Sequence, residues 1–398
     1  MQNKKLVKPL FCLLAGEASG DNLGAALIKS LKETYPDASF AGIGSRNMIG
    51  EGLESWVDMD RLSVNGFVDP FLRLPSLLNI LLSTRNKILL SDCACFIGID
   101  FNFFNLLLAG MLKKRGIRTV HYVSPTVWAW RKGRIKSIAR KIDLMLTLYP
   151  FELDIYHQNN IDAEFVGHPK ADEIGLDEGS IGKLEARKRY QLEKDEKVVA
   201  ILPGSRGSEV AYSAPDFLAA AKIIRDNMQR QNIQIKFLIP AINEKRKLQI
   251  QSLLNEVDLP LVLAVGDARN MMLAADVVLV NSGTATLEAM LLKRPMVMSY
   301  KLGALTYAIV SRMITSKYLA LPNILSQKPL VPELIQNDAT PEALSSAIMK
   351  LLNESNHSKL LSEFEIIHKQ LQKNAAKAAA VAISQFVEGH RANKIIDV

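Results

Sequence analysis

The sequence predicts an α/β protein with two Rossmann-like parallel-sheet domains facing across a cleft. Eleven short apolar runs alternate with helix-length segments along the 398 residues. These runs are continuously apolar, as strands covered on both faces require. The two halves also echo each other: FCLLAGEASGDNLGAALIKSL and VVAILPGSRGSEVAYSAPDFLAAA each run from a strand through a glycine turn into a helix. Units of this kind bind ligands beyond the C-terminal ends of their strands.

The first run, 9–14, lies where a secretory or lipoprotein leader would sit, with basic residues before it and Cys12 within it. Lys8-Pro9 interrupts that pattern and GEASGD follows without a small-residue cleavage site, so a first strand is expected instead. Strands are then expected at 39–44, 94–99, 119–123, 144–149 and 163–167. A polar, charge-rich stretch, 171–197, marks the domain boundary, with the first domain at 1–172 and the second at 190–372. The second series of strands is 197–202, 234–239, 261–265, 276–280 and 295–300. An alanine-rich helix at about 373–398 is expected to close the chain, packing back onto the first domain or onto a partner.

Composition bounds the function. Hydrophobic residues make up 48% and charged residues 23%, the balance of a globular protein. Forty-nine basic against 41 acidic residues leave a net charge of +8, which favours an anionic partner. Three cysteines, Cys12, Cys93 and Cys95, suit a reducing compartment better than a disulfide framework. The longest apolar region, 94–112, is broken by Asp100, Asn102 and Asn105, so no membrane span is expected and surface attachment stays open.

Three strand–turn–helix junctions carry chemistry. Gly16–Asp21 (GEASGD) lacks the GxGxxG spacing of a dinucleotide site, but its backbone N–H groups suit an anion at a helix N-terminus, or simply a tight turn. In LPGSRGSE (202–209), Gly204 and Ser205 form the turn and Arg206 offers a fork of donors suited to phosphate. In NSGTATLEAML (281–291), Ser282, Gly283 and Thr284 head a helix, and Glu288 follows one turn later on the same face. A carboxylate one turn from a phosphate site suits the hydroxyls of a ribose; as a bland alternative it is helix filler. Together the last two junctions suggest a nucleoside-diphosphate pocket.

Asp100 ends the run ACFIGI between Ile99 and Phe101, where partial desolvation raises a carboxyl toward a general base's range; a helix cap is the other reading. Asp58-Met-Asp60 matches a DxD, but with no ligand cluster beside it chance or a capping role is favoured over metal ligation. Val68, Phe71, Leu74, Leu77, Leu78 and Leu81 recur at helical spacing, which fits either a core helix or an interfacial membrane helix with basic flanks. Trp128 and Trp130 precede a basic run, Arg131, Lys132, Arg134, Lys136, Arg140 and Lys141. Ile135, Ile138 and Ile142 place that run on one face of an amphipathic helix, facing anionic headgroups or a phosphate. Nucleic acid is disfavoured because no recognised module surrounds the run.

These motifs together resemble the bacterial lipid-A-disaccharide synthases, inverting glycosyltransferases of GT-B fold. AGEASGD (15–21), HYVSPTVWAWR (121–131), YPFE (149–152), FVGHPKAD (165–172), LPGSRGSEV (202–210), SGTATLE (282–288), PMVMSY (295–300) and YLALPNIL (318–325) fall in the family's order and spacing, from about residue 8 to 390. The resemblance implies transfer from UDP-2,3-diacylglucosamine to 2,3-diacylglucosamine 1-phosphate, releasing UDP with inversion and no bound metal or cofactor. It implies that Asp100 is the general base and that Arg206 neutralises the departing UDP. Gly204, Ser205, Arg206, Ser282, Gly283, Thr284, Glu288 and Asn323 are expected at the donor, and Arg269 completes that set. Glu17, Ser19, Gly20, Asp21, Ser124, Trp128 and Arg131 are expected on the acceptor side; Val68, Phe71, Leu74, Leu77 and Leu78 are expected at the membrane. It further implies a peripheral protein on the inner face of the cytoplasmic membrane and a homodimer with exchanged C-terminal segments.

The resemblance breaks in two places. The family's GIDAPDFN reads GIDFNFFN (98–105), with Phe101, Asn102 and Phe103 replacing Ala, Pro and Asp. Its VMG reads Val64-Asn65-Gly66, and Asp69-Pro70 stands where Glu is usual. The exchange is expected to reshape the acceptor side. It supports a second reading, a paralogue of impaired turnover or altered specificity that binds UDP-sugar or anionic lipid. A UDP-sugar 2-epimerase on the same architecture would leave the apolar stripe at 68–82 without a purpose.

Overall fold

The computed structural model describes residues 8–62, 70–127, 132–254, 258–281, 283–313 and 316–394. Contacts divide the chain into two compact units, Met1–Asp172 with Leu371–Val398, and Glu173–Gln370.

The first unit is built on a seven-stranded parallel sheet. Its strands are β1 (Leu10–Ala15), β2 (Ser39–Ile43), β3 (Leu53–Ser55), β4 (Cys93–Ile99), β5 (Thr119–Tyr122), β6 (Leu144–Thr147) and β7 (Asp162–Phe165). The second unit holds a six-stranded parallel sheet of β8 (Lys197–Leu202), β9 (Ile235–Ala241), β10 (Leu261–Val265), β11 (Val277–Asn281), β12 (Met296–Tyr300) and β13 (Glu333–Ile335). The apolar runs are the strands because both faces are covered: Phe11 to Ala15 and Val198 to Ile201 are almost wholly buried. The edge strands β3 and β13 have three residues each, too few for a periodic signal, and were not expected.

Strand order decides where function can lie. The sheets run β3-β2-β1-β4-β5-β6-β7 and β10-β9-β8-β11-β12-β13. In each, the order reverses beside the first strand, between β1 and β4 or between β8 and β11. Crossovers leave such a pair on opposite sides of the sheet, so the loops after the two strands diverge and open a crevice. GEASGD follows β1 and Asp100 follows β4; PGSR follows β8 and Asn281 ends β11. The motifs therefore occupy both switch points.

The polar stretch expected as a boundary holds a packed helix, Glu178–Arg189, within the second unit. Arg187 is buried there and donates to the Glu193 and Glu196 carbonyls at 2.7 and 2.6 Å, which explains how so polar a segment packs. At the other end, the Asp172 carboxylate accepts the N–H groups of Asn374 and Ala375 at 2.8 and 2.6 Å, capping the final helix Ala375–Lys394. Ala379, Ala380, Ile383 and Val387 join the core of the first unit, and Arg118 Nη1 donates to the Val387 carbonyl at 2.7 Å.

Candidate active site

At the switch point of the second unit lies a cavity of about 520 Å³. Gly204, Ser205 and Arg206 line it from the loop after β8, and Gly283, Thr284 and Glu288 from the loop and helix after β11. Gly204 has a φ of 126°, and a Cβ there would lie 2.5 Å from Glu209 Cβ and 2.9 Å from Asn281 Nδ2, so only glycine fits. Asn281 is buried and donates Nδ2 to the Pro203 carbonyl at 3.1 Å, tying the ends of β8 and β11 together. Helix Thr284–Leu291 begins at the cavity wall, directing its first N–H groups and positive dipole end toward it.

Glu209 is the organising residue that the sequence reading missed. One oxygen accepts the backbone N–H groups of Ser205 and Arg206 at 2.9 and 3.1 Å, and the other takes Arg206 Nη1 at 3.1 Å. The signal was present, since an acid three residues into a helix is the second half of a capping box. The Ser205 and Arg206 N–H groups are thus already satisfied, whereas the Arg206 side chain is 81% exposed. Pro240, Ala241 and Ile242 after β9, and Gly266, Asp267 and Ala268 after β10, complete the lining. None of these was expected, because they belong to no motif and meet the others only through the sheet order.

Two expected donor residues do not line the cavity. Arg269 is outside the lining, its guanidinium held by Glu178 at 2.5 and 2.7 Å and by Glu173 at 2.8 Å. Asn323 is buried under the segment leading to β13, donating to the Val331 carbonyl at 2.9 Å and to Glu333 at 2.8 Å. Ser282, between Asn281 and Gly283, lies outside the described residues.

At the switch point of the first unit, Asp100 and Phe101 take φ values of 48° and 40°, and Val123 after β5 takes 81°. Left-handed residues other than glycine cost roughly 1–3 kcal/mol each and persist only where surroundings enforce them. The Asp100 N–H donates to the Tyr122 carbonyl at 2.8 Å. Burial raises the pKa of the Asp100 carboxyl, and the Glu17 charge raises it further, against a lowering hydrogen bond from the Phe101 N–H. The Phe101 ring lies over Gly16, where a Cβ would run into it, whereas Phe103 is 84% exposed.

The acceptor-side residues separate. Glu17 and Ser19 are exposed around the start of helix Ala18–Thr34. Gly20 is buried against the Ala15 Cβ and the Ile99 carbonyl. Asp21 is 2% exposed, and its carboxylate accepts the N–H groups of Ser45, Asn47 and Met48 at 2.6, 3.0 and 3.3 Å. It caps the short helix Arg46–Gly50. Ser124 is likewise buried, its hydroxyl 2.7 Å from Tyr156 Oη. Trp128, Trp130 and Arg131 lie outside the described residues. Beyond them, Ile135, Ile138 and Ile142 are buried as the spacing predicted. Asp58 accepts the Asp60 N–H at 3.0 Å, the capping role favoured for it.

The apolar stripe forms helix Pro70–Leu90 and divides between two environments. Leu81 is 3% exposed and Leu77 packs on the core, whereas Leu74 and Leu78 are 55% and 54% exposed. Val68 and the Phe71 side chain lie outside the described residues. No helix among the described residues is long and apolar enough to cross a membrane.

Comparison with known proteins places this geometry. The family described as lipid-A-disaccharide synthetase matches residues 11–386. The chain is 47% identical to a lipid-A-disaccharide synthase from Saccharophagus degradans, covering 95% of this chain and 97% of that one. It is 45% identical to another from Alcanivorax borkumensis, covering 96% and 98%. Among solved structures, a UDP-GlcNAc 2-epimerase from Neisseria meningitidis aligns over 95% of this chain and 100% of its own with a TM-score of 0.63. At 13% identity that likeness bears on the fold alone. A match of this extent, on two parallel-sheet units whose motifs meet at the switch points, means that the chain belongs to the lipid-A-disaccharide synthase family, GT-B glycosyltransferases of lipid A biosynthesis.

Proposed function

We propose that this chain joins UDP-2,3-diacylglucosamine to 2,3-diacylglucosamine 1-phosphate with inversion at the anomeric carbon, releasing UDP. The carrying observation is the convergence of Gly204, Ser205, Arg206, Gly283, Thr284 and Glu288 on one cavity in a chain of this family. The Asp100 carboxylate takes the proton of the acceptor's 6-hydroxyl as that oxygen attacks, and the bond from the anomeric carbon to UDP breaks. Arg206, exposed and held among the described residues by Glu209, turns to the diphosphate and offsets the charge that develops on it. The start of helix Thr284–Leu291, with Ser282 and Gly283 before it, receives the phosphates, and Glu288 accepts the ribose hydroxyls. Ile242, 59% exposed at the cavity, offers an apolar face to the base.

Glu17 and Ser19 stand on the Asp100 side, where the acceptor would enter. Leu74 and Leu78 supply the exposed apolar surface for peripheral attachment to the cytoplasmic face of the membrane, where both lipid substrates reside. A homodimer that exchanges C-terminal segments would place the helix Ala375–Lys394 on a partner's first unit instead of its own.

An assay with both substrates tests the reaction. Wild type should form disaccharide 1-phosphate and UDP in equal amounts, and Asp100→Asn and Arg206→Ala should lose that turnover. Absence of product from wild type, with UDP still bound, would favour the paralogue of altered specificity, for which the exposed Phe103 and the Phe101 ring over Gly16 speak.

A further inference from the structure

Three carbonyl oxygens at the end of the first sheet converge on one side chain. Asn105 Nδ2 lies 3.2 Å from Leu14 O, 3.2 Å from Ile99 O and 2.9 Å from Asp100 O. Asn105 is wholly buried, and its own N–H donates to the Phe101 carbonyl at 3.2 Å. It therefore grips the end of β1 and each of the three residues Ile99, Asp100 and Phe101. The carbonyls require a donor, so an aspartate of the same shape could not replace the amide.

A second bond pins the far side of the turn. His121 Nε2 is 3.0 Å from Asn102 Oδ1, the first residue of helix Asn102–Lys113. His121 is wholly buried on β5, and burial pushes its pKa down to about 4, so the ring is neutral with a single N–H to give. Gly98 lies between the two contacts: a Cβ there would sit 2.9 Å from Asn105 Cβ and 3.2 Å from His121 Nδ1. Asn105, Gly98 and His121 thus form one polar layer beneath the left-handed pair Asp100–Phe101. Asn102 is also one of the three residues that depart from the family's Ala-Pro-Asp. A proline there would preset the first helical φ without a hydrogen bond; this chain uses the bond to His121 instead.

We propose that Asn105 and the His121–Asn102 pair are positioning residues for glycosyl transfer: they hold the Asp100–Phe101 turn left-handed and so set where the Asp100 carboxylate points. This rests on Asp100 acting as the general base. Besides burial, the groups that act on that carboxylate are the Glu17 charge, from the loop after β1, and the Phe101 N–H.

The test compares His121→Leu, His121→Gln, Asn105→Ser and Asp100→Asn in the full-length protein, using both lipid substrates. The readouts are kcat, KM for each substrate, the pH profile, UDP affinity and melting temperature. His121→Leu and Asn105→Ser should lower kcat by on the order of a hundredfold, the scale of a misplaced catalytic group. UDP affinity should stay unchanged, and the acid limb of kcat/KM should move toward lower pH as the carboxylate becomes hydrated. His121→Gln, whose amide N–H falls near the Nε2 position, should recover most of the lost kcat. If His121→Leu and Asn105→Ser keep wild-type kcat while Asp100→Asn abolishes turnover, the positioning role is overturned and the base assignment stands. If kcat and melting temperature fall together in every His121 and Asn105 variant, His121→Gln included, the layer is structural only and the proposal is overturned. If Asp100→Asn turns over at the wild-type rate, the base assignment fails and the positioning role fails with it.

Discussion

Arg206 Nη1 donates to Glu209 Oε1 at 3.1 Å, while the other oxygen of the same carboxylate accepts the Ser205 and Arg206 N–H groups. Glu209 therefore shapes the loop after β8 and parks the guanidinium that the proposed reaction needs. With the Arg206 side chain 81% exposed, such a surface pair contributes about 0–1 kcal/mol, a small barrier to the move toward a diphosphate that the proposed reaction requires. Arg206→Ala should lower kcat about 10²- to 10³-fold with the melting temperature unchanged. Glu209→Ala should instead cost about 0.5–2 kcal/mol of stability through the lost cap and weaken UDP binding. Calorimetry with UDP separates the two.

As the proposed general base, Asp100 should link turnover to pH. Its pKa is raised, first by burial and then by Glu17, so kcat/KM should fall as pH drops through a midpoint above the ordinary carboxylate range. Glu17→Gln removes the like charge and should move that limb to lower pH; an unmoved limb would show that Glu17 does not act on Asp100.

The same shift predicts a gain in stability on removing the charge. A carboxyl whose folded pKa is raised binds its proton more tightly when folded, so its contribution is most favourable at low pH and is lost as pH rises through the folded pKa. At neutral pH the ionised Asp100 destabilises the fold. Asp100→Asn, which also suits a φ of 48°, should raise the melting temperature at pH 7 and lower kcat by about 10²- to 10⁴-fold. A lower melting temperature would contradict the desolvation account.

Asp21 should behave in the opposite way. Its carboxylate holds three backbone N–H groups in a buried site, so Asp21→Ala should destabilise by about 1–3 kcal/mol. The fraction that remains folded should keep the wild-type KM for the acceptor. Denaturant unfolding alongside steady-state kinetics distinguishes this from a ligand contact.

The helix Pro70–Leu90 can be dissected face by face. Leu74→Ser with Leu78→Ser should reduce sedimentation with anionic vesicles and leave the melting temperature unchanged, because both side chains are exposed. Leu81→Ala, on the buried face, should cost about 2–5 kcal/mol without a direct effect on partitioning. Equal partitioning of wild type and the double variant would remove this surface from the membrane assignment.

Local patterning determined a good deal of this protein by itself. Runs such as FCLLA and VVAIL are apolar on both faces, which is enough to call buried parallel strands, and the glycine turns after them mark helix starts. The spacing of Ile135, Ile138 and Ile142 placed a buried face correctly for the same reason. Asp100 and Arg206 were legible as candidates because each stands where a strand ends.

Only the tertiary structure decided which polar groups are already spent. Asp21 and Arg269 look available in the sequence, yet the first is consumed by three amides and the second by Glu173 and Glu178, partners 24 to 96 residues away. Leu74 and Leu81 share one periodic stripe, but which of them meets water depends on what packs against the helix. The same holds beneath Asp100: Leu14, Gly98, Asn105 and His121 become neighbours only when β1, β4 and β5 lie side by side, because a hydrogen bond is satisfied by position in space and not by order along the chain.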